Sequence, residues 1–178
     1  MQSIIYILPE LFLSIMIMFL LMLGVFIKKS IKLINLLAMA SLIFAVVLVL
    51  NQPGEEIKIF KESYIIDSFS IFMKVLTLLF SLVALLLSKN YIKNNNINTI
   101  EYPIIILAST LGMILIISSY DLIVFYLGLE LQSLCLYILA SFKKEDEKST
   151  EAGLKYFVLS ALASGLLLYG CSLIYGFT

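Results

Sequence analysis

Six apolar stretches follow one another along the chain, at approximately 4–27, 31–50, 68–89, 102–120, 121–142 and 150–175, with short polar breaks between them. A bilayer hydrocarbon core of about 30 Å takes about 20 helical residues at about 1.5 Å rise each. In lipid, every backbone polar group must be satisfied within the chain, so segments of this kind cross as helices. The expected fold is therefore all-α: a polytopic membrane bundle of about six transmembrane helices, with residues 1–178 as one domain. Composition agrees, with 62% hydrophobic and 13% charged residues, against about 25% charged in soluble domains. The start, MQSIIYILPE, lacks a basic segment and carries Pro9 and Glu10 ahead of the apolar run. It is expected to be part of the mature chain rather than a cleaved signal.

The breaks fix the topology. Residues 118–121 form a very tight turn, which makes the fourth and fifth spans an antiparallel hairpin. Lys28, Lys29, Lys32, Lys89, Lys93, Lys143, Lys144 and Lys148 fall on one side of the membrane, and only Lys58 and Lys61 on the other. The lysine-rich side is expected to face the cytoplasm or the mitochondrial matrix. The N-terminus, the 51–67 loop and Thr178 then lie on the periplasmic or intermembrane side. Within that loop, EIKIFK alternates polar and apolar residues as a half-buried strand does, and the following Ile65 and Ile66 can complete a small hairpin over the helix ends.

Charge and residue inventory exclude several functions. Twelve basic and twelve acidic residues give zero formal net charge, which is not the footprint of a nucleic-acid binder. Cys135 and Cys171 lie in different apolar spans without CxxC spacing, as small buried hydrophobes do. The chain contains no histidine. Any proton chemistry must use carboxylates, lysines, tyrosines or water.

Three charges remain once the loops are assigned: Lys74, Glu130 and Lys155. An ionisable residue at the centre of a span costs about 2.5–3.5 kcal/mol on insertion scales and ordinarily marks an ion or proton path. Glu130 follows Asp121 by nine residues, a depth of about 13 Å and close to the midplane. Its side chain is too short to reach water, so it either handles protons or, protonated or paired with a lysine, tethers helices. Lys155 lies about 8 Å inside its span, shallow enough to snorkel. It is also four residues after Glu151, the spacing of a helical ion pair. Lys74, in FSIFMKVLTLL, lies about 9 Å in from the other side. Depth alone allows it either to pair with Glu130 or to snorkel outward. An ammonium beside a buried carboxylate stabilises its charged form, so movement of one changes the proton affinity of the other. Tyr126, Ser133 and Tyr137 share the face of Glu130, as water-holding groups or, for the tyrosines, as aromatic packing. In the last span, Ser160 with Ser164 and Ala161 with Gly165 have the small-xxx-small spacing of a close helix contact.

The blocks LPELFL, DSFSIFMKVL, DLIVFYLGLELQSLCLYILASF and STEAGLKYFVLSALASGLLLYGCSLIYG resemble subunit N of the proton-translocating NADH:quinone oxidoreductases, respiratory complex I. Mitochondria call the same subunit subunit 2. The bacterial forms it is most similar to are alphaproteobacterial, with a mitochondrial origin also open. The resemblance implies an antiporter-like membrane subunit that contributes part of a proton half-channel, coupled to electron transfer from NADH to quinone. It implies that Glu130 matches the family's essential buried glutamate and Lys155 the lysine of the EAGLKYF motif, both as proton-transfer residues. Lys74 matches a recurring family lysine of unassigned role. NAD, FMN, iron–sulfur clusters and quinone would be handled by other subunits, with no cofactor in this chain. The implied partners are the other complex I membrane subunits, the bilayer and the C-terminal half of the same subunit. The implied setting is the bacterial inner (plasma) membrane or the mitochondrial inner membrane.

The resemblance ends where the chain does, after the sixth span, whereas the family has about fourteen helices. Half of a split subunit, a truncated product and a fragment of a longer chain are all open. So are a vestigial non-conducting protein and a subunit of a related cation/proton antiporter, although ELQSLCLYILA and EAGLKYF favour complex I.

Overall fold

A computed structural model describes residues 6–26, 31–94, 100–143 and 145–177. Six helices follow in order: α1 (Leu8–Phe26), α2 (Ile31–Leu50), α3 (Ser68–Asn94), α4 (Glu101–Ile117), α5 (Leu122–Ala140) and α6 (Glu147–Phe177). Between α2 and α3 lies an antiparallel pair, β1 (Ile57–Ile59) and β2 (Tyr64–Ile66). Five of the helices are long and apolar enough to cross a membrane, and α4 is a shorter apolar helix of 17 residues. Lys28, Lys29, Lys144, Thr178 and most of the NNNIN tract lie outside the described residues, as does the Lys93 side chain.

Each helix packs against the next in sequence, and α4 also meets α1 and α2. The core is built by α1 to α4. On α2 the buried residues Ile34, Ala38, Leu42, Ala45 and Val49 recur at three- and four-residue intervals and form one stripe. They pack with Leu13 and Leu20 of α1, Leu78 and Leu85 of α3, and Leu107 and Ile114 of α4. Many large apolar side chains point outward, among them Ile15, Phe72, Phe80 and Leu159. That inside-out surface suits a hydrocarbon solvent.

The expected small hairpin is present, with Ile57 opposite Ile66 and Ile59 opposite Tyr64. Ile59, Tyr64 and Ile66 turn inward onto Tyr6, Ile7, Ile71 and Leu115, so the hairpin lies over one end of the bundle. Its β2 edge continues onto the α4–α5 turn: Ile65 N–H donates to the Ser118 carbonyl at 2.8 Å, and Tyr120 N–H to the Ser63 carbonyl at 3.0 Å. These bonds end α4 at Ile117, short of the 120 expected, because Ser118 to Tyr120 serve the hairpin. Entry into α3 is fixed by a reciprocal cap, in which Ser70 N–H donates to Asp67 Oδ1 at 2.8 Å and Asp67 N–H to Ser70 Oγ at 2.9 Å. At the hairpin tip, Phe60, Lys61 and Glu62 all have positive φ, 53°, 55° and 68°. Left-handed backbone costs a non-glycine residue about 1–2 kcal/mol. Lys61→Gly is expected to stabilise the hairpin by about 1 kcal/mol, read as slower amide exchange of the Ile65 N–H.

The closest helix approach is between α4 and α5. A Cβ placed on Gly112 would lie 2.8 Å from Gln132 N and 2.9 Å from Gly128 O, and one on Gly128 3.1 Å from Gly112 O. The two glycines interlock around the level of Glu130. The small-residue stripe of α6 does not play the expected part within this chain: Ala161 and Gly165 are exposed, and nothing lies within 4 Å of a Cβ on Gly165. Instead α6 docks on α5 near its start, where Gly153 is buried against Ser141.

Candidate functional site

Two sets of polar groups lie within the apolar bundle. At the hairpin end, Lys74 of α3 is fully buried and its Nζ donates to Glu10 Oε1 at 2.8 Å and to the Tyr64 hydroxyl at 3.0 Å. Tyr64 donates in turn to the same Glu10 oxygen at 2.5 Å. Glu10 is 3% and Tyr64 4% exposed. Burial, reinforced by the adjacent Glu10 carboxylate, raises the Tyr64 phenol well above its ordinary range and keeps it protonated as a donor. Lys74 therefore neither snorkels outward nor pairs with Glu130. Depth had brought those two to a similar level, but α3 and α5 are not principal neighbours, because α4 stands beside both.

Glu10 lies within the 4–27 stretch, but as a charge at the head of its apolar run it was not expected to be a partner of Lys74. The available signal was Pro9, which is favoured in the first turn of a helix. With α1 beginning at Leu8, Glu10 is already inside it.

The second set surrounds Glu130, the ninth residue of α5. Asp121 caps this helix, accepting from Ile123 N–H at 3.1 Å. The Tyr175 hydroxyl at the far end of α6 also bonds Asp121 and ties the two helices together. Glu130 is partly buried, and its Oε1 is shut away without a hydrogen-bond partner. Tyr126, one turn earlier, interacts with Glu130 and with Cys171 of α6. Tyr137, on the same face, is buried and packs edge-on against Tyr156 at 4.8 Å and Phe157 at 5.7 Å between ring centres. It is an aromatic packing residue joining α5 to α6. Among the described residues Glu130 forms no ion pair.

Lys155 makes the helical pair its spacing implied, with Nζ 2.6 Å from Glu151 Oε1. Both side chains are open, 68% and 62% exposed, on the face of α6 directed away from the bundle. The structure thus brings together none of Lys74, Glu130 and Lys155 with one another. No group of three or more His, Cys, Asp or Glu able to hold a metal occurs among the described residues.

The arrangement defines a class: a multi-pass helical membrane protein with ionisable residues wholly or partly buried on α1, α3 and α5. The family model described as "NADH:quinone oxidoreductase/Mrp antiporter, TM" matches residues 119–178. The chain is 54% identical over its whole length to NADH-quinone oxidoreductase subunit N of Pelagibacter ubique, and covers 38% of that protein. It is 48% identical over 96% of its length to the subunit N of Paramagnetospirillum magneticum, covering 35% of it. Among solved structures, respiratory complex I from Thermus thermophilus with bound aureothin superposes on 96% of this chain with a TM-score of 0.81 and 29% identity, and 37% of the matched chain is covered. The archaeal membrane-bound sulfane sulfur reductase, at 22% identity and a TM-score of 0.68, shares the fold. Over its whole length the chain is similar to NADH-quinone oxidoreductase subunit N, and it spans little more than a third of the length of the relatives it matches.

Proposed function

We propose that this chain contributes part of a proton half-channel to a proton-translocating NADH:quinone oxidoreductase, with Glu130 as the group that takes up and releases the proton. The observation that carries the reading is the Glu130 carboxylate at mid-span, with Oε1 buried and unpartnered. A buried polar oxygen is ordinarily met by a water or another hydrogen-bond partner, so Oε1 offers a place for one to arrive. Lys155 acts as a second transfer residue, and its exposed position on α6 leaves it free to meet further helices of the subunit. Lys74 acts at the hairpin end.

The partners are the remaining helices of the subunit, the other membrane subunits of the complex and the bilayer. NAD, FMN, iron–sulfur clusters and quinone are handled by those other subunits. The setting is a bacterial plasma membrane with the N-terminus on the periplasmic side, since Lys32, Lys89, Lys143 and Lys148 gather at the end opposite the hairpin.

The test is Glu130→Gln in the full-length subunit within the assembled complex, reading NADH-driven acidification of vesicles. Proton transfer through this subunit is expected to slow by about 100-fold or more, the scale of removing a general acid–base group, and acidification to fall by the share this subunit carries. Lys155→Met is expected to reduce it less. Undiminished acidification in Glu130→Gln rejects the reading.

A further inference from the structure

The hydrogen bonds at the hairpin end are lopsided. Both donors, Lys74 Nζ and the Tyr64 hydroxyl, converge on Glu10 Oε1, while Glu10 Oε2 is buried without a partner. A second buried oxygen nearby is also unmatched. Ser118 is fully buried and its side chain faces Tyr64, yet its Oγ makes no well-formed hydrogen bond. A simple packing lock of α1, α3 and the hairpin would occupy both carboxylate oxygens. Buried polar atoms are ordinarily satisfied, and one internal water commonly serves about three of them.

We propose that Glu10, Tyr64, Lys74 and Ser118 form a second proton-exchange site, separate from Glu130 and built around one internal water that bonds Glu10 Oε2 and Ser118 Oγ. A proton arriving from the hairpin side passes through the water to Oε2. Glu10 becomes neutral while Lys74 keeps its charge, so the cluster goes from zero to one net positive charge. Release through the same water restores the ion pair. The groups facing the site are Glu10 from α1, Tyr64 from β2, Lys74 from α3, Ser118 from the end of α4, and Asp67, whose carboxylate interacts with Lys74 and offsets the added charge. Below Lys74 the polar lining continues on α3: Thr77 bonds the Lys74 carbonyl, Ser81 bonds the Thr77 carbonyl, and Thr110 of α4 donates to Ser81 at 3.0 Å. Those hydroxyls edge a cavity of about 430 Å³ between α3, α4 and α5.

The first test uses the unaltered complex containing this chain, in a density map fine enough to show waters. A water within hydrogen-bond distance of Glu10 Oε2 is expected, and a dry Oε2 overturns the proposal. The second is infrared difference spectroscopy of the assembled complex between acid and neutral pH. A carboxyl band is expected that disappears in Glu10→Gln, shifts in Tyr64→Phe and survives in Glu130→Gln. Identical bands in unaltered and Glu10→Gln complexes overturn the proposal while leaving the role of Glu130 untouched. The charge-free double variant Glu10→Leu, Lys74→Met keeps the packing without a buried charge. If it retains the band, the carboxyl lies elsewhere and the proposal fails.

Discussion

Lys74→Met is expected to destabilise the fold by about 3–5 kcal/mol, the cost of leaving one member of a buried ion pair without its partner. Glu10 would keep only the Tyr64 hydroxyl as a donor in a site 3% exposed. The companion Glu10→Leu should cost a similar amount by stranding the ammonium. Combining Glu10→Leu with Lys74→Met should recover most of the loss, because apolar replacement of a whole buried pair is often neutral or stabilising. A double-mutant cycle on the unfolding midpoint in mixed micelles measures this coupling. Single losses that merely add would mean the two side chains do not share one site. The same cycle between Lys74 and Glu130 is expected to be additive, since α4 stands beside the helices carrying both.

The second large effect concerns how Glu130 is placed. Gly112→Ala puts a methyl 2.8 Å from Gln132 N and 2.9 Å from Gly128 O. Both obstacles are backbone atoms of α5, so the strain has no side chain to push aside and α4 and α5 must separate. The expected cost is about 1–3 kcal/mol, as for other overpacked interiors. Gly165→Ala, where nothing lies within 4 Å, is the control and is expected to leave the 178-residue chain as stable as before. Unfolding midpoints in the same micelles compare the two. Because the Gly112–Gly128 crossing borders Glu130, Gly112→Ala should also lower proton pumping in the assembled complex without touching any ionisable group.

The spans were legible because hydropathy over about 20 residues is a local property set by bilayer thickness. The hairpin was legible for a similar reason, since alternation in EIKIFK encodes one buried face. The Glu151–Lys155 pair followed from helical geometry alone. What could not be read was the partner of Lys74. Rise per residue gives depth in the membrane but not which way a side chain points around its helix. Glu10 is 64 positions away on another helix, so only packing brings them together. The tight α4–α5 contact was hidden in the same way: Gly112 and Gly128 look like isolated glycines until the tight turn at residues 118–121 folds one helix against the other.

The role proposed for Glu130 depends on a titratable carboxyl group rather than on the size of the side chain. The most direct measurement is the proton-to-electron ratio of the assembled complex carrying Glu130→Asp or Glu130→Gln at matched rates of NADH oxidation. Aspartate, which keeps the carboxyl, is expected to retain translocation through this subunit, and glutamine, close to glutamate in shape, to lose it. Equal ratios in the two variants would contradict that role.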